Sequence, residues 1–437
     1  MLARTLRTKE YFTLAFGTMI GVGWLIVIDD WLTRGGPLGA MLAFLIGGIC
    51  LLPVAYVYGK FVRALPDSGA EIAYTTAVFP RSVGYLSGWL MTLAYLIVCP
   101  WEAVAIGKIV SYLIPEVASM QIYSVAGRPV FLPALMLGFL TTALIILLNY
   151  RGIRVSSRFQ NFTTFALLIS FAIFTLLGAT RVEATNFQPL FATVPNMISI
   201  ILVLQIVPYF LTGFESVPKC VEEADSRMDP GGLAKAIFLS LGVGVLFYVL
   251  ILFVVSGLVP WKSIASERYA TALAFKRAFG SDAIVRFILI AALFSLLKVF
   301  NGNFLSASRL IFALGRGNWL SPRFGAIHDR FNTPHVAVLF CGTVTFLGAI
   351  LGDAILIPVT EVGSMCSIFG WLMTCIAYLK WRKGIAGREK WIAISGVVVS
   401  FLLLLLKVIP AVPGSLGRWE YFALSIWLGI GLLLRRK

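Results

Sequence analysis

Long apolar runs dominate the sequence, and their length constrains the fold more than any other feature. We number them as spans 1 to 12: 11–32, 37–61, 83–114, 131–149, 160–180, 194–217, 234–259, 283–313, 335–352, 355–379, 391–410 and 419–434. About 20 helical residues cross the hydrocarbon core of a bilayer, and a helix satisfies its own backbone hydrogen bonds there. The runs therefore predict an all-α polytopic membrane protein with twelve transmembrane helices.

The composition agrees with a chain embedded in a lipid bilayer. Of its 437 residues, 59% are hydrophobic and 13% are charged, against about 25% charged in soluble domains. The net charge of +16 would suggest nucleic acid, but the basic residues lie almost entirely between the spans, so we expect no nucleic-acid partner. The six cysteines and two histidines have no metal-site spacing, and we expect neither a metal nor a cofactor.

The basic residues also predict the orientation, because short cytoplasmic loops are enriched in Lys and Arg. Most of the 36 Lys and Arg residues fall on one side, with Lys219 and Arg309 counted among its loop residues. Both termini fall on the same side. We therefore expect a multi-pass protein of the cell membrane, inner or plasma, with cytoplasmic N- and C-termini. On the other side, apolar spacing within 259–281 predicts a short surface helix.

Two spans contain glycine and proline clusters that predict broken helices. Span 1 has Gly17, Gly21 and Gly23, and span 6 has Gly213 shortly after Pro208. At membrane depth, unwound backbone survives only where protein or a water-filled cavity covers it. The two spans are five apart, so they occupy equivalent places if spans 1–5 and 6–10 are two halves of a repeat. Because five is odd, the halves insert with opposite topology, and paired broken helices then point to a transporter's substrate site.

A broken helix has free N–H groups where its second half begins and free C=O groups where its first half ends, each reinforced by the helix dipole. We expect the N–H groups near Val22 and Gly23 to hold a carboxylate. The carbonyls expected to hold an ammonium belong to Thr18, Met19, Phe210 and Leu211. A zwitterionic amino acid fits both ends. Alternatively, the glycines only let helices pack closely, as small-residue motifs do.

Several motifs, in order along the chain, resemble the amino acid–polyamine–organocation superfamily of secondary transporters, which has the LeuT-type fold. They are GTMIGVG in span 1, GPLGAMLAFLIGG and RALPDSGAEIAYTTAVFP around span 2, NYRGIRVSSRFQN at span 5, TGFESVPKCVEEA in span 6, and FNGNFLSASRLIFALGR with FNTPH at span 8. Together they cover most of residues 10–380. The resemblance implies a 5+5 inverted repeat of spans 1–5 and 6–10, with helices 1 and 6 broken and two peripheral helices, spans 11 and 12.

The resemblance also implies a division of the chain and a set of site residues. The expected segments are a cytoplasmic N-terminus over 1–10, a first repeat over 11–180, a second repeat over 181–380, and spans 11 and 12 with a cytoplasmic C-terminus over 381–437. It places Met19, Val22, Gly23, Phe210 and Thr212 around the substrate and Tyr209 at the position of an occluding aromatic residue. With Thr18, Gly21 and Leu211 from the breaks, these are the candidate substrate-binding residues.

Three positions depart from the family's pattern. Lys60 stands where a typical member has Glu, which we expect to change only a cytoplasmic contact. In proton-coupled members, a lysine in span 5 can replace a bound sodium ion, but here that place falls on Ala166 or Leu167. Trp24 stands where many relatives have a smaller residue, and it either narrows the pocket toward a small substrate or faces lipid.

Three ionisable residues inside the spans are candidates for coupling or gating, because a charge at bilayer depth usually faces the interior and has a function. Glu215 directly follows the break in span 6, and serves either gating and proton coupling or the capping of loosened backbone. Lys298, in the middle of span 8, is expected to supply the cation that span 5 lacks; alternatively it snorkels or pairs permanently with an acid. Glu102, in span 3, is expected to face the interior.

The charges near the pathway bear on the substrate. Glu102, with Asp29 and Asp30 at the outer end of span 1, would attract a cationic amino acid or an amine, although the two aspartates equally fit a solvated loop. We predict a secondary active transporter that moves an amino acid or related amine by alternating access. Titratable Glu215 and Lys298 favour a proton gradient over sodium symport or exchange.

An intramembrane enzyme and a channel or receptor are the alternatives to a transporter. An intramembrane enzyme would need a nucleophile with a base, or a metal cluster, facing a common cavity. The spans offer no paired carboxylates at helical spacing and no Ser with a credible partner, so we expect no enzyme. A channel or a transporter-like receptor is the remaining alternative of a different class.

Overall fold

A computed structural model describes residues 2–229, 231–267, 269–352, 356–382, 385, 387–410, 412 and 415–436, the side chains of 356–360 excepted. In this part, the chain forms α-helices and one β-hairpin. The helices of the first half are α1 Thr8–Met19, α2 Gly23–Ile26, α3 Ile28–Ala64, α4 Glu71–Thr76, α5 Arg81–Leu96, α6 Val98–Leu113, α7 Leu132–Arg151 and α8 Ile153–Ala179. Those of the second half are α9 Asn196–Leu204, α10 Val207–Leu211, α11 Ser216–Lys219, α12 Gly231–Leu258, α13 Ala270–Phe279, α14 Asp282–Arg316, α15 His335–Ala349, α16 Leu356–Trp381, α17 Gly387–Val408 and α18 Arg418–Leu434.

Many of these helices are long and apolar enough to cross a membrane. Within the described residues there are eight: Ile28–Ala64, Arg81–Leu113, Leu132–Arg151, Ile153–Ala179, Gly231–Leu258, Asp282–Arg316, Glu361–Trp381 and Gly387–Val408. Apolar side chains such as Leu140 and Leu176 point outward, 67% and 71% exposed, as in a surface that faces lipid. The prediction of a helical multi-pass membrane protein is confirmed.

Spans 1 and 6 contribute short helices because both are broken at the places where their glycines predict a break. In span 1, α1 ends at Met19 and α2 begins at Gly23, with Ile20 extended between them (φ −88°, ψ 94°). In span 6, Gly213 separates α10 from α11 with φ +135°, a conformation that L side chains rarely adopt. A Cβ on Gly213 would lie 2.6 Å from the Met19 amide nitrogen. The two breaks are therefore in direct contact.

Spans 1 and 2 meet at a sharp kink inside α3. Gly36 has φ +65° there, and its Cα lies so close to another segment that a Cβ would be 2.8 Å from backbone atoms of Phe191 and Ala192. Only glycine meets both requirements. The sequence boundary between 32 and 37 falls at this kink.

Outside the spans, one short helix was predicted and one hairpin was not. Helix α13 lies within 259–281, as expected from its apolar spacing. Strands β1 (Gln121–Val125) and β2 (Arg128–Phe131) pair antiparallel across Ala126 and Gly127, which both have positive φ. The strands are short, and nearly all of their residues are exposed or half-buried, so no apolar alternation marks them in the sequence.

Both ends of the chain lie on one face of the bundle, which we call the terminus face. The contacts that connect them are Leu6 with Ala224, Arg316 with Glu222, and Arg436 with Trp319. This agrees with the prediction that both termini fall on one side.

Two basic residues counted as loop residues are instead fully buried, so that prediction was wrong for them. Lys219 Nζ lies 2.6 Å from Glu71 Oε1, and Arg309 Nη2 lies 2.6 Å from Glu223 Oε1, with all four side chains 0% exposed. Both basic residues stand at the ends of apolar spans, where charge counting assigns them to loops. Their acidic partners are distant in sequence, so only the tertiary fold reveals the pairs.

Candidate substrate site

A small cavity lies where the two breaks meet. Its lining residues are Thr18, Met19, Gly21, Val22, Gly23, Val27, Ala94, Val98, Trp101, Glu102, Tyr209, Phe210, Thr212, Val299, Asn303, Gly363 and Ser367. The space open to the centres of water molecules is about 40 Å³, and one water needs about 10–15 Å³ on this measure. In this conformation, the cavity therefore admits only a few water molecules.

Most of the candidate substrate-binding residues come together around this cavity. Of the nine, only Leu211 is absent from the lining, although it is fully buried. Helix α10 ends at Leu211, and the Leu211 side chain packs away from the cavity. The next residue, Thr212, has extended backbone and lines the cavity.

Glu102 reaches the cavity from α6, as expected for an acid that faces the interior. Its side chain is 2% exposed, and its Oε2 atom has no hydrogen-bond partner among the described residues. A Cβ on Gly21 would lie 3.8 Å from Glu102 Oε1, so the carboxylate faces the break in span 1. A buried carboxylate without a partner is costly, and a cationic ligand group in the cavity would compensate it.

Lys298 extends from α14 to the end of α1. Its Nζ donates to the carbonyl oxygens of Gly17, at 3.2 Å, and Ile20, and it lies 5.5 Å from the centre of the Phe16 ring. Among the described residues, no carboxylate lies within salt-bridge distance of it. The ammonium is thus held by a helix C-terminal end, where the dipole favours a cation. The alternative of a permanent ion pair with an acid is not found in the part of the chain that the structure describes.

Two further α14 side chains, missed in the sequence, satisfy the broken backbone. Ser295 Oγ donates to the carbonyls of Ile20, at 3.0 Å, and Gly21, at 2.8 Å. Asn303 Nδ2 donates to the Thr18 carbonyl at 3.4 Å. That carbonyl, expected to hold a substrate ammonium, therefore already has a donor. Both residues stand within five positions of Lys298, a proximity that could have suggested them.

A layer of apolar and aromatic residues separates the cavity from a larger vestibule on the face opposite the termini. Val27, Trp101, Tyr209 and Phe210 line both spaces, so Tyr209 stands where an occluding residue is expected. The Phe210 ring lies against Gly23, whose Cβ would be 2.5 Å from it. The vestibule has a volume of about 480 Å³.

Charged residues line the vestibule. Asp29 and Asp30 both face it, and Asp30 Oδ1 lies 2.8 Å from Arg34 Nε. The two aspartates belong to the first turn of α3, so the alternative of a solvated loop was wrong. Glu361 and Lys407 form an ion pair in the same vestibule. Ligands entering from this side meet both charge signs.

Trp24 neither narrows the cavity nor faces lipid, so both sequence alternatives were wrong. It is fully buried, stacks on Phe174 with ring centres 5.4 Å apart, and meets Phe247 edge to face at 6.2 Å. The Thr271 hydroxyl donates to its carbonyl at 2.5 Å. Trp24 therefore anchors the start of span 1's second half between α8, α12 and α13.

On the terminus face, hydrogen bonds connect the segment before span 1 to the segment after span 6. The backbone amides of Thr5 and Leu6 donate to the Glu223 carbonyl, each at 2.9 Å, and Asp225 N donates to the Leu6 carbonyl at 2.8 Å. Arg7 Nε lies 3.2 Å from Asp225 Oδ2. The segment before span 1 is thus fastened to the segment after span 6.

Glu215 lies just below the cavity, toward the terminus face, and does not line it. It is fully buried, and its Oε2 accepts the Gly213 amide at 3.0 Å, which caps the loosened backbone of span 6. Its Oε1 has no hydrogen-bond partner among the described residues. The capping alternative is therefore seen in the structure, and one carboxylate oxygen remains for another role.

Two broken helices that meet at a cavity, with a vestibule on the face opposite the termini, are typical of membrane transporters. Comparison with known proteins agrees. The family model "Amino acid permease" matches residues 6–433. The chain therefore belongs to the amino acid permease family, which confirms the superfamily resemblance and identifies it as a transporter, not an enzyme.

Individual relatives share about a quarter of the residues over nearly the whole chain. The methylthioribose transporter of Bacillus subtilis is 24% identical over 99% of this chain and 93% of its own length. The branched-chain amino acid permease BcaP of the same organism is 24% identical over 99% and 92%. The aromatic amino acid transport protein AroP of Escherichia coli is 22% identical over 100% and 96%.

Proposed function

We propose that this protein is a secondary active transporter that moves an amino acid or related amine across the cell membrane by alternating access. The observation that supports it most strongly is the cavity at the meeting point of the two breaks, where Glu102 Oε2 accepts no hydrogen bond from the described residues. An amine fits this carboxylate. The N–H groups at the start of α2, which no described side chain caps, fit a substrate carboxylate.

The proposed architecture is the twelve-span arrangement with two inverted repeats, spans 1–5 and 6–10. The contact between the equivalent breaks of spans 1 and 6 supports it. The proposed orientation puts the terminus face in the cytoplasm, because of the basic residues on that side. In this orientation, the structure corresponds to a state closed toward the cytoplasm. Tyr209 and Phe210 separate the outer vestibule from the cavity.

We propose a proton rather than sodium as the coupling ion. Lys298 supports this choice, because its ammonium already occupies the carbonyls of Gly17 and Ile20, the acceptors that a bound cation would need. Sodium symport and amino acid exchange with the same fold are the alternatives.

Lys298→Met tests this coupling. It removes the charge at the end of α1, so we expect accumulation driven by a pH gradient to fall to the equilibrium level, while exchange of labelled for unlabelled substrate continues. Lys298→Gln keeps a donor for the carbonyls and should give the same result. The exposed Lys235 on α12 offers the control Lys235→Met, expected to behave as the unaltered protein. Undiminished accumulation under the imposed pH gradient in both Lys298 variants would contradict the role.

Glu102→Gln tests substrate recognition. A hydrogen bond to a charged partner contributes about 1.5–3 kcal/mol, so the half-saturating concentration of a cationic substrate should rise about tenfold to a hundredfold. The measurement is counterflow in proteoliposomes with lysine, leucine, phenylalanine, a diamine and methylthioribose. Glu116, an exposed residue that follows α6, provides the control Glu116→Gln. Uptake of lysine or the diamine that is unchanged by Glu102→Gln would remove the case for a charge-matched pocket.

A further inference from the structure

A second group of buried charges lies between the cavity and the terminus face, and it joins Glu215 to two residues, Glu71 and Lys219, that have no role in the proposal above. Lys219 Nζ lies 2.6 Å from Glu71 Oε1 and donates to the Glu215 backbone carbonyl at 2.8 Å. All three side chains are 0% exposed. We call Glu71, Lys219 and Glu215 the acid–lysine cluster. It connects α4, which follows span 2, to the break in span 6.

The charges of the acid–lysine cluster do not balance. It has two carboxyl groups and one ammonium, and the nearby titratable groups do not correct this. They are Tyr58 from α3, Tyr74 from α4, Tyr95 from α5 and Cys220 after α11. Beyond Cys220, the next charges are Arg309 and Glu223, which neutralise each other. A net buried charge is costly, so one carboxyl group of the cluster should hold a proton.

The contacts indicate which carboxyl group holds it. Glu71 Oε1 accepts from both the Lys219 ammonium and the Tyr58 hydroxyl, at 2.7 Å, as an ionised carboxylate does. Lys219 also lies 4.9 Å from the centre of the Tyr95 ring, a position that favours the charged ammonium. Glu215 accepts the Gly213 amide through Oε2, and its Oε1 accepts no hydrogen bond from the described residues. The observed arrangement is therefore neutral when Glu215 is protonated.

The position of the cluster relates this proton to opening of the terminus face. Lys219 holds the Glu215 backbone to the Glu71 segment, directly beneath Gly213 and its contact with Met19. One residue further, the Cys220 carbonyl accepts the Tyr11 hydroxyl of α1 at 2.8 Å. Movement of Lys219 would therefore loosen the joint between the two broken spans.

We propose that the acid–lysine cluster binds one exchangeable proton on Glu215, and that its release toward the terminus face transfers Lys219 from Glu71 to Glu215 and unlocks that face. The O–H bond of the Glu215 carboxyl breaks, the proton passes to water, and the new carboxylate competes with Glu71 for the one ammonium. Rebinding of a proton reverses the exchange. The inference rests on the proposed transport function and adds a proton site separate from Lys298.

The test is counterflow by the full chain in proteoliposomes at equal pH on both sides, with whichever of labelled lysine, leucine or phenylalanine is exchanged fastest. Release of one proton before opening makes the rate rise with pH, approaching about tenfold per pH unit. Glu215→Gln mimics the protonated state, so its rate should be low and independent of pH. Glu71→Gln removes the competing carboxylate, so its rate should be independent of pH and as high as that of the unaltered protein at high pH.

Two buried tyrosines of the same aromatic group provide a matched control. Tyr74 has no hydrogen-bond partner among the described residues, whereas Tyr58 donates to Glu71. Tyr74→Phe should keep the pH profile, and Tyr58→Phe should shift it. Should Glu215→Gln fail to fold, Glu71→Gln decides the matter alone.

The outcomes separate this inference from the function beneath it. A pH-dependent rate in the unaltered protein that becomes independent of pH in Glu71→Gln supports the cluster. Counterflow in which Glu215→Gln or Glu71→Gln keeps the full pH dependence overturns the cluster and leaves transport intact. Absence of counterflow with every substrate in the unaltered protein overturns the transport function and the inference with it.

Discussion

Gly213→Ala is expected to abolish counterflow, because two independent features of this position exclude a side chain. The backbone has φ +135°, where a non-glycine residue costs about 1–3 kcal/mol. A Cβ would also lie 2.6 Å from Met19 N and 2.9 Å from Met19 Cα, so the obstacle is backbone that cannot rotate away. The substitution must push apart the two breaks that form the cavity. The measurement is counterflow in proteoliposomes, with size-exclusion chromatography to confirm folded protein.

Gly242→Ala is the matched control. Gly242 lies inside α12, and a Cβ there would meet nothing within 4 Å. It should keep normal counterflow and a slightly higher stability, because alanine favours a helix over glycine. Normal counterflow in Gly213→Ala would show that the contact between the breaks is not needed for transport.

Arg309→Met is expected to give the largest loss of stability among single substitutions of charge. Arg309 Nε and Nη2 contact both oxygens of Glu223 at 3.1 and 2.6 Å, and neither side chain is exposed. Removing one member leaves a buried, uncompensated carboxylate, which costs about 3–5 kcal/mol. Thermal unfolding of the purified protein in detergent should show a strongly lowered midpoint. The double variant with Glu223→Gln should recover much of the loss, because no buried charge then remains unpaired.

Arg316→Met provides the comparison for this ion pair. Arg316 also donates two hydrogen bonds to one carboxylate, from Nη1 and Nη2 to Glu222 at 2.7 Å each, but the two side chains are 40% and 25% exposed. Exposed pairs contribute about 0–1 kcal/mol, so its unfolding midpoint should change little. Equal midpoints for Arg309→Met and Arg316→Met would contradict the importance assigned to burial.

Backbone features of this fold follow from local sequence, and that is where prediction was accurate. Glycine clusters specify where a helix cannot continue, so the breaks near Gly21 and Gly213 were predictable without the structure. An acid in an apolar run is expected to face the interior of the bundle. Glu102 does so, because it lines the cavity. Lys298 lies at the end of α1, and its role as a substitute for the missing lysine of span 5 stays a prediction.

Predictions failed where a residue's environment depends on a distant segment. Lys219 and Arg309 looked like loop residues because nothing local indicates their buried partners, Glu71 and Glu223. The sequence predicts that Trp24 lies at the cavity or in lipid, whereas three other helices enclose it. Such pairings depend on how spans pack, and a single sequence gives the periodicity of a helix but not its neighbours.

The central claim is active transport, and concentrative uptake into sealed vesicles tests it most directly. The full chain is reconstituted into proteoliposomes, an inward proton gradient is imposed, and labelled amino acid is followed inside. We expect the internal concentration to exceed the external one transiently and to return to equality when a protonophore collapses the gradient. Uptake that never exceeds the external concentration would indicate a channel or a passive exchanger. Binding without any uptake would indicate a receptor, and either result would contradict the proposed function.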